Sequence, residues 1–158
     1  MEVNEKKGRI GAISISKKKG IPKSNIDKVM LIENFGLEGD AHGGNWHRQV
    51  SLLAQESIDF MKEKGLTTLR PGAFAENLTT TGLNLVSIEI GTHLKIGAEA
   101  EIEITQIGKE CHTKCAIYYS AGDCVMPREG IFAKVIKPGE ICVGDEIVVS
   151  SGFRVQSN

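Results

Sequence analysis

Three of the four cysteines of this chain lie close together, in Gly108–Lys109–Glu110–Cys111–His112–Thr113–Lys114–Cys115 and Gly122–Asp123–Cys124–Val125–Met126–Pro127–Arg128. Cysteine reacts, and binds metal, as its thiolate, and nearby cations lower the thiol pKa. Lys109, His112, Lys114 and Arg128 bring such charge to Cys111, Cys115 and Cys124. Four readings are open, a disulfide, which reducing conditions disfavour, being the fourth. One is a reactive sulfur centre with Cys111, the most crowded by cations, as its most reactive thiol. Another is a zinc site made of Cys111, Cys115, Cys124 and His112, although paired Cys-x-x-Cys knuckles are absent. The third is a set of small buried thiols filling core gaps. Cys142, in the apolar run Glu140–Ile141–Cys142–Val143, is expected in the core and inert.

A second candidate is Gly36–Leu37–Glu38–Gly39–Asp40–Ala41–His42–Gly43–Gly44 followed by Asn45–Trp46–His47–Arg48–Gln49. Glycines let backbone N–H groups approach an anion closely. Asp40, His42, His47 and Arg48 add polar reach, and Trp46 could stack on a flat ligand. The alternative is a glycine-rich turn in which Asp40 serves local backbone amides. No pattern of carboxylates singles out His42 and His47 as metal ligands. A third candidate, Arg70–Pro71–Gly72–Ala73–Phe74–Ala75–Glu76–Asn77–Leu78–Thr79–Thr80–Thr81–Gly82, reads as a structured loop in which Asn77 and the threonines bond backbone or ligand. There is no glycine-flanked nucleophilic serine, no P-loop and no dinucleotide fingerprint.

The elements that must position these residues are short. The 158 residues suffice for one domain with a core. The net charge of −1 argues against nucleic acid or an anionic membrane as the main partner. No apolar run spans a bilayer and no signal peptide opens the chain, so a cytoplasmic protein with reduced thiols is expected. Residues 1–7 and 151–158 are expected to be flexible tails around a single domain at 8–150. In Ala98–Ile104, Ala98, Ala100, Ile102 and Ile104 alternate with Glu99, Glu101 and Glu103, which predicts a half-buried strand. Further strands are expected at Ile10–Ser16, Val29–Glu33, Gln49–Leu53, Gly91–Gly97, Phe132–Ile136 and Ile141–Val149, the last broken at Val143–Glu146. A helix is predicted from Ala54 to Lys64, with Ile58 and Met61 on one face and Gly65 as its cap. A second short helix is expected near Pro127. Many short strands with one or two short packed helices make a mainly β chain, a barrel or sandwich.

Six motifs occur here in the order found in MOSC domains. They are Gly39–Asp40–Ala41–His42, Arg48–Gln49–Val50–Ser51–Leu52–Leu53, Pro71–Gly72–Ala73–Phe74–Ala75–Glu76–Asn77–Leu78, Ile90–Gly91 with Leu94–Lys95–Ile96–Gly97, the Cys111 segment and Val143–Gly144–Asp145–Glu146. From about Gly8 to Val149 the chain resembles this family, which includes the C-terminal domain of molybdenum cofactor sulfurases. The Gly-Lys-x-Cys-His-x-x-Cys and Gly-Asp-Cys-x-Met-Pro segments resemble a bacterial, stand-alone subgroup. The resemblance implies a MOSC-type β-barrel, a bound molybdopterin-type cofactor or molybdenum, and sulfur carried on a cysteine. Cys111 best matches the family's cysteine, as sulfur carrier or molybdenum ligand. Cys115 and Cys124 would then be resolving or assisting thiols. Gly39, Asp40, His42, Gly43, Arg48 and Asn77 would hold a phosphate-bearing pterin, with Lys109, His112 and Arg128 adding charge. The three loops are expected to border one cleft. Nothing is long enough to be a desulfurase domain, so pyridoxal phosphate is not expected and a separate sulfur donor is. Molybdenum cofactor enzymes or biosynthesis proteins are the implied partners. Whether the domain turns over a substrate, or only carries the cofactor, is left open.

Overall fold

The alternation of apolar and acidic residues that marks Ala100–Ile107 also sets its geometry. Ala100, Ile102 and Ile104 are buried, while Glu101 and Glu103 are half-buried on the other face. Ala98, expected in the same row, lies instead in the exposed turn that precedes the strand, with positive φ at Gly97. The computed structural model describes residues 7–18, 23–63, 76–108 and 130–150. The elements run β1 (Lys7–Ile15), β2 (Ser24–Ile26), β3 (Lys28–Ile32), β4 (Gly36–Leu37), β5 (Val50–Ala54), α1 (Gln55–Glu63), β6 (Leu78–Thr81), a 3-10 turn (Leu85–Ser87), β7 (His93–Ile96), β8 (Ala100–Ile107), β9 (Ile131–Lys137), β10 (Gly139–Cys142) and β11 (Glu146–Ser150). Lys7, assigned to the flexible start by sequence, opens β1. The tails, the Gly65 cap, the Arg70–Ala75 part of the third loop, the helix expected at Pro127 and the cysteine segment lie outside the described residues.

Seven strands close into a barrel in the order β1-β11-β7-β8-β9-β5-β6 and back to β1, with β2 added on the edge of β1. The closing pair is β1 with β11, in which Lys7 faces Val148 and Arg9 faces Glu146. A small sheet, β10-β3-β4, accompanies the barrel. Its Leu31, Leu37 and Ile141 belong to the same core as Ile10, Leu52, Leu78, Ile102 and Ile131 of the barrel.

The pair β5–β6 is parallel, and α1 makes the connection between them. This explains why Val50–Ser51–Leu52–Leu53–Ala54 is buried at every position and shows no alternation. A strand covered on both faces reads as a continuous apolar run. Leu52 faces the barrel core, while Leu53 is fully buried outside that cluster, as are Ile58 and Met61 of α1. Glu56 in the first turn of α1 accepts a hydrogen bond from the Gly82 N–H at 3.1 Å, fixing the helix to the end of β6.

β6 was not expected as a strand. Thr79, Thr80 and Thr81 read as loop formers, yet β-branched threonines suit a pleated surface. Pairing on both sides, with β1 and β5, makes β6 an interior strand of the wall.

Candidate functional site

Strand alternation turns Ser14, Ser51 and Phe132 away from the core residues Ile13, Leu52 and Ile131 beside them. Their strands are β1, β5 and β9, members of one continuous wall. Ser51 and Phe132 are direct cross-strand partners. The chain from Glu33 to Gln49 lies against this wall and brings its polar residues there.

Asn77 is the central tie. It is 1% exposed. Its Oδ1 accepts from the Ser51 N–H at 3.0 Å and from Ser51 Oγ at 3.2 Å. Its Nδ2 donates to the Ser14 carbonyl and to Asp40 Oδ2, both at 3.1 Å. Its backbone carbonyl accepts from the Ser14 N–H at 2.8 Å. One amide side chain therefore links β1, β5 and the turn carrying Asp40. Glu76 beside it is fully buried and accepts from Thr79 Oγ1 at 2.8 Å.

Asp40 is buried, and its carboxylate is saturated with donors. Oδ1 takes the Ser16 N–H at 3.0 Å and Lys23 Nζ at 2.8 Å, and Oδ2 takes Asn77 Nδ2. Burial alone would raise its pKa. The Lys23 hydrogen bond, the Ser16 N–H, the Lys23 charge and the Asn77 amide outweigh burial and hold it below the ordinary 3.8. Lys23 and Asp40 form an ion pair with side chains 1% and 0% exposed. Lys23 Nζ also lies 3.1 Å from His42 Nδ1. Ser16 Oγ, just after β1, is buried without a hydrogen-bond partner among the described residues.

Beyond His42 the chain turns into an aromatic and cationic shelf. Trp46 Nε1 donates to the His42 carbonyl at 3.1 Å. The Arg48 guanidinium carbon stands 4.8 Å from the Trp46 ring centre and 5.4 Å from that of Phe132, within cation–π distance of both. Phe132, which faces away from the barrel core, is 5% exposed beside Arg48. Arg48 Nε is itself buried with no hydrogen-bond partner among the described residues. His47 meets Trp46 edge-on and lies 2.8 Å from Gln106 Oε1.

The glycines of the turn are used locally. The Gly43 N–H donates to the Asp40 carbonyl and the Gly44 N–H to the Phe35 carbonyl. A Cβ on Gly43 would collide with the Phe35 ring. Gly39 has φ +84. The Gly43 and Gly44 N–H groups are therefore engaged within this segment.

Of the expected site residues, Gly39, Asp40, His42, Gly43, Arg48 and Asn77 are gathered on one wall. Cys111, Cys115, Cys124, Lys109, His112 and Arg128 lie outside the described residues. The flanks of that segment do adjoin the wall. The Gly108 N–H donates to the Gly130 carbonyl at 2.6 Å, and Gln106, which touches His47, donates to the Gly108 carbonyl. Cys142, expected in the core, is half-buried at the end of β10, its N–H bonded to Asp145 Oδ2. Among the described residues no three His, Cys, Asp or Glu side chains are grouped to hold a metal ion. No helix among them is long and apolar enough to cross a membrane.

Lys23 is the site residue that sequence reasoning missed. It follows Lys17, Lys18 and Lys19 in sequence, and nothing local separates it from Lys17 and Lys18, which are exposed. Its burial is decided by a carboxylate 17 residues away. Phe132 was assigned only to a strand, with no hint of its cationic partner.

The comparisons agree with this architecture. The YuaD protein from Bacillus subtilis superposes with a TM-score of 0.76 at 19% identity, covering 92% of this chain and 97% of that one. YiiM from Geobacillus stearothermophilus gives 0.68 at 18% identity, over 91% of this chain and 75% of that one. YiiM from Escherichia coli gives 0.63 at 22% identity, over 90% and 70%. No curated protein sequence matches the chain. The MOSC domain family model matches residues 38–148, which includes the turn of Asp40, the Arg48 shelf, Asn77 and the whole of β5 to β10. With the closed barrel and that match together, the chain belongs to the MOSC domain family, which is associated with molybdenum cofactor-related proteins.

Proposed function

We propose that this protein binds the phosphorylated pterin of a molybdenum cofactor on the wall carrying Arg48, and handles sulfur through Cys111. Arg48 is the observation that carries the reading. Its guanidinium lies within cation–π distance of both Trp46 and Phe132, yet its buried Nε has no acceptor among the described residues. A buried unsatisfied donor costs about 1–3 kcal/mol. A phosphate oxygen would remove that cost, and a planar guanidinium suits phosphate geometry. Trp46, 38% exposed, offers aromatic surface to a flat heterocycle. The chemistry of this donor set fits such a ligand. Asp40, His42 and Asn77, with Gly39 and Gly43 shaping the turn, form the adjoining polar wall, and Lys109, His112 and Arg128 would add charge and donors.

When bound, such a cofactor supplies a redox-active, sulfur-accepting metal centre. The chain's own part is to hold the phosphate, orient the ring and present a thiol. Cys111 thiolate would attack the sulfane sulfur of a donor persulfide, and the donor's thiolate would leave. Sulfur changes hands with no net oxidation. Cys115 and Cys124 would assist or resolve. A separate donor protein and a molybdenum cofactor enzyme or biosynthesis protein are the partners this requires.

Trp46 is the chain's single tryptophan, so its emission reports on this wall alone. Titration with a phosphorylated pterin should quench it saturably, and Arg48→Met should weaken binding about tenfold, or 1.4 kcal/mol. No saturable quenching in the unaltered protein would overturn the binding half. Exposure to a low-molecular-weight persulfide, followed by mass mapping, should load Cys111. Pterin binding without any persulfide would make the protein a carrier. One zinc per reduced chain, removable only with unfolding, would make the cysteine segment a structural zinc site.

A further inference from the structure

We propose that Gln49 is a positioning residue for Arg48: its side-chain amide stands in for a strand partner on β9, which lets the chain leave β5 and carry Arg48 to Trp46 and Phe132. The proposal deepens the pterin-binding reading above and rests on it only for what Arg48 would hold.

The register of β5 with β9 sets Val50 opposite Ala133 and Ser51 opposite Phe132. Continued by two residues, it would set Arg48 opposite Val135. Side chains alternate along a strand, so Arg48 would then share the core face with Val50 and Val135, both members of the barrel core. An unpaired guanidinium is too costly to bury there. Arg48 instead reaches Phe132, on the opposite face, at 5.4 Å from its ring centre. The chain must therefore depart from the strand course before Val50.

That departure takes a strand partner away from Val135. Val135 is 2% exposed, and a buried N–H and C=O both need partners. The Gln49 side chain and the turn after β3 provide them. Gln49 Oε1 accepts from the Val135 N–H at 2.9 Å, and the Asn34 N–H donates to the Val135 carbonyl at 3.0 Å. Gln49 Nε2 donates to Asn34 Oδ1 at 3.1 Å and closes the clamp. A primary amide carries both a donor and an acceptor, as a peptide group does, so glutamine can replace part of the missing strand residue. Gln49 is 1% exposed. Asn34 has φ +59, a conformation in which asparagine is enriched among non-glycine residues.

The consequence falls on Arg48. Among the described residues its Nε finds no acceptor, so the ring contacts and the path of the backbone set where the guanidinium stands. Gln49 is the next residue in that backbone and is anchored through its side chain. Affinity that depends on Arg48 therefore depends also on a buried amide.

The test uses the ligand-free protein labelled with nitrogen-15 at arginine, with the Arg48 Nε–H signal assigned by Arg48→Met. That proton should be displaced by the Trp46 and Phe132 ring currents and slow to exchange with solvent. Gln49→Met keeps the length of the side chain and removes its amide. It should move the signal toward that of an exposed arginine and speed its exchange at least about fivefold, as a buried, unpaired Val135 N–H implies. Asn34→Gly keeps the backbone donor and suits the positive φ, and should act in the same direction more weakly. Met61→Ala loosens the fold at α1 and should leave the signal in place. A freely exchanging Arg48 Nε–H in the unaltered protein overturns the proposal. So does an unchanged signal in Gln49→Met, or in Asn34→Gly where Gln49→Met does not fold. An equal loss in Met61→Ala also overturns it, because Arg48 would then follow general stability. No pterin is present, so failure here leaves the Trp46 titration untouched, and absent quenching there leaves the Arg48 signal untouched.

Discussion

Asn77 Nδ2 lies 3.1 Å from Asp40 Oδ2, and this contact joins two segments that are 37 residues apart in sequence. On the far side of the same amide, Oδ1 holds Ser51 of β5. Together with the Ser16 N–H on Asp40 Oδ1, this side chain, with every polar atom in use, fixes the turn carrying Asp40 and His42 to the barrel wall. Asn77→Ala should leave the Ser51 amide and hydroxyl without their acceptor and should destabilise the fold by roughly 3 kcal/mol. Urea unfolding should show a lower midpoint with an unchanged slope. A loss below about 0.5 kcal/mol would mean that water replaces the amide without cost.

Asp40 should give the stability curve an acid limb. Its carboxyl titrates below the ordinary 3.8 when folded, because Lys23, Ser16 and Asn77 outweigh the cost of burial. A depressed folded pKa means the stabilisation is complete above the unfolded value and disappears as pH falls from there through the folded value. Thermal melts between about pH 7 and 5 should therefore be insensitive to this group, with the decline starting near pH 4 and continuing below. Asp40→Asn should flatten that limb. It should also cost about 3–5 kcal/mol at neutral pH by leaving the Lys23 ammonium buried without its counter-ion. An unchanged acid limb in a folded Asp40→Asn protein would assign the decline to other carboxylates.

Gly36 and Gly43 should resist alanine for different reasons. Gly36 has φ +125, and a Cβ there would come within 2.5 Å of the Gln49 carbonyl oxygen. Gly43 has no such φ, but its Cβ would enter the Phe35 ring. The Gly36 substitution strains the backbone and should lower stability by more than about 2 kcal/mol. At Gly43 a smaller aromatic partner relieves the clash, so Phe35→Leu should partly rescue Gly43→Ala and do nothing for Gly36→Ala. Melting temperatures of the four variants decide this, and equal rescue of both would refute the distinction.

Met61 carries the contact of α1 with the barrel wall together with Ile58, and both are fully buried. Met61→Ala should cost about 2–5 kcal/mol. Phe60, 44% exposed on the same helix, should cost far less when changed to alanine. Equal losses at the two positions, measured by chemical unfolding, would place the helix in a different rotation.

Much of the barrel was legible in the sequence because its walls alternate. Ile102 and Ile104 against Glu101 and Glu103 predict strand and face together, and β1, β3, β5, β7 and β9 appear within a few residues of their expected bounds. β6 was not legible because Thr79–Thr80–Thr81 carries its signal only when flanked by β1 and β5. The Arg48 shelf was half legible: the arginine and the tryptophan stand two apart, but Phe132 is 84 residues beyond the arginine and looks like any strand residue. Lys23 was not legible at all. A lysine enters a protein interior only where a carboxylate is waiting, and local sequence does not say where the chain will bring one.

The pairing of β1 with β11 has a consequence for how the molecule comes into being. Lys7 is placed opposite Val148, so one seam of the barrel joins nearly the first described residue to nearly the last. Loop closure over so long a span is entropically slow to establish and comes late. During synthesis, β1 can pair with β2 and β6, and β7 with β8, but β1 and β7 keep open edges until Glu146–Ser150 emerges. Open edges recruit strands from other chains. The last described strand, β11, thus acts as a bolt, and a nascent chain stalled before it would be the form of this protein most prone to aggregate.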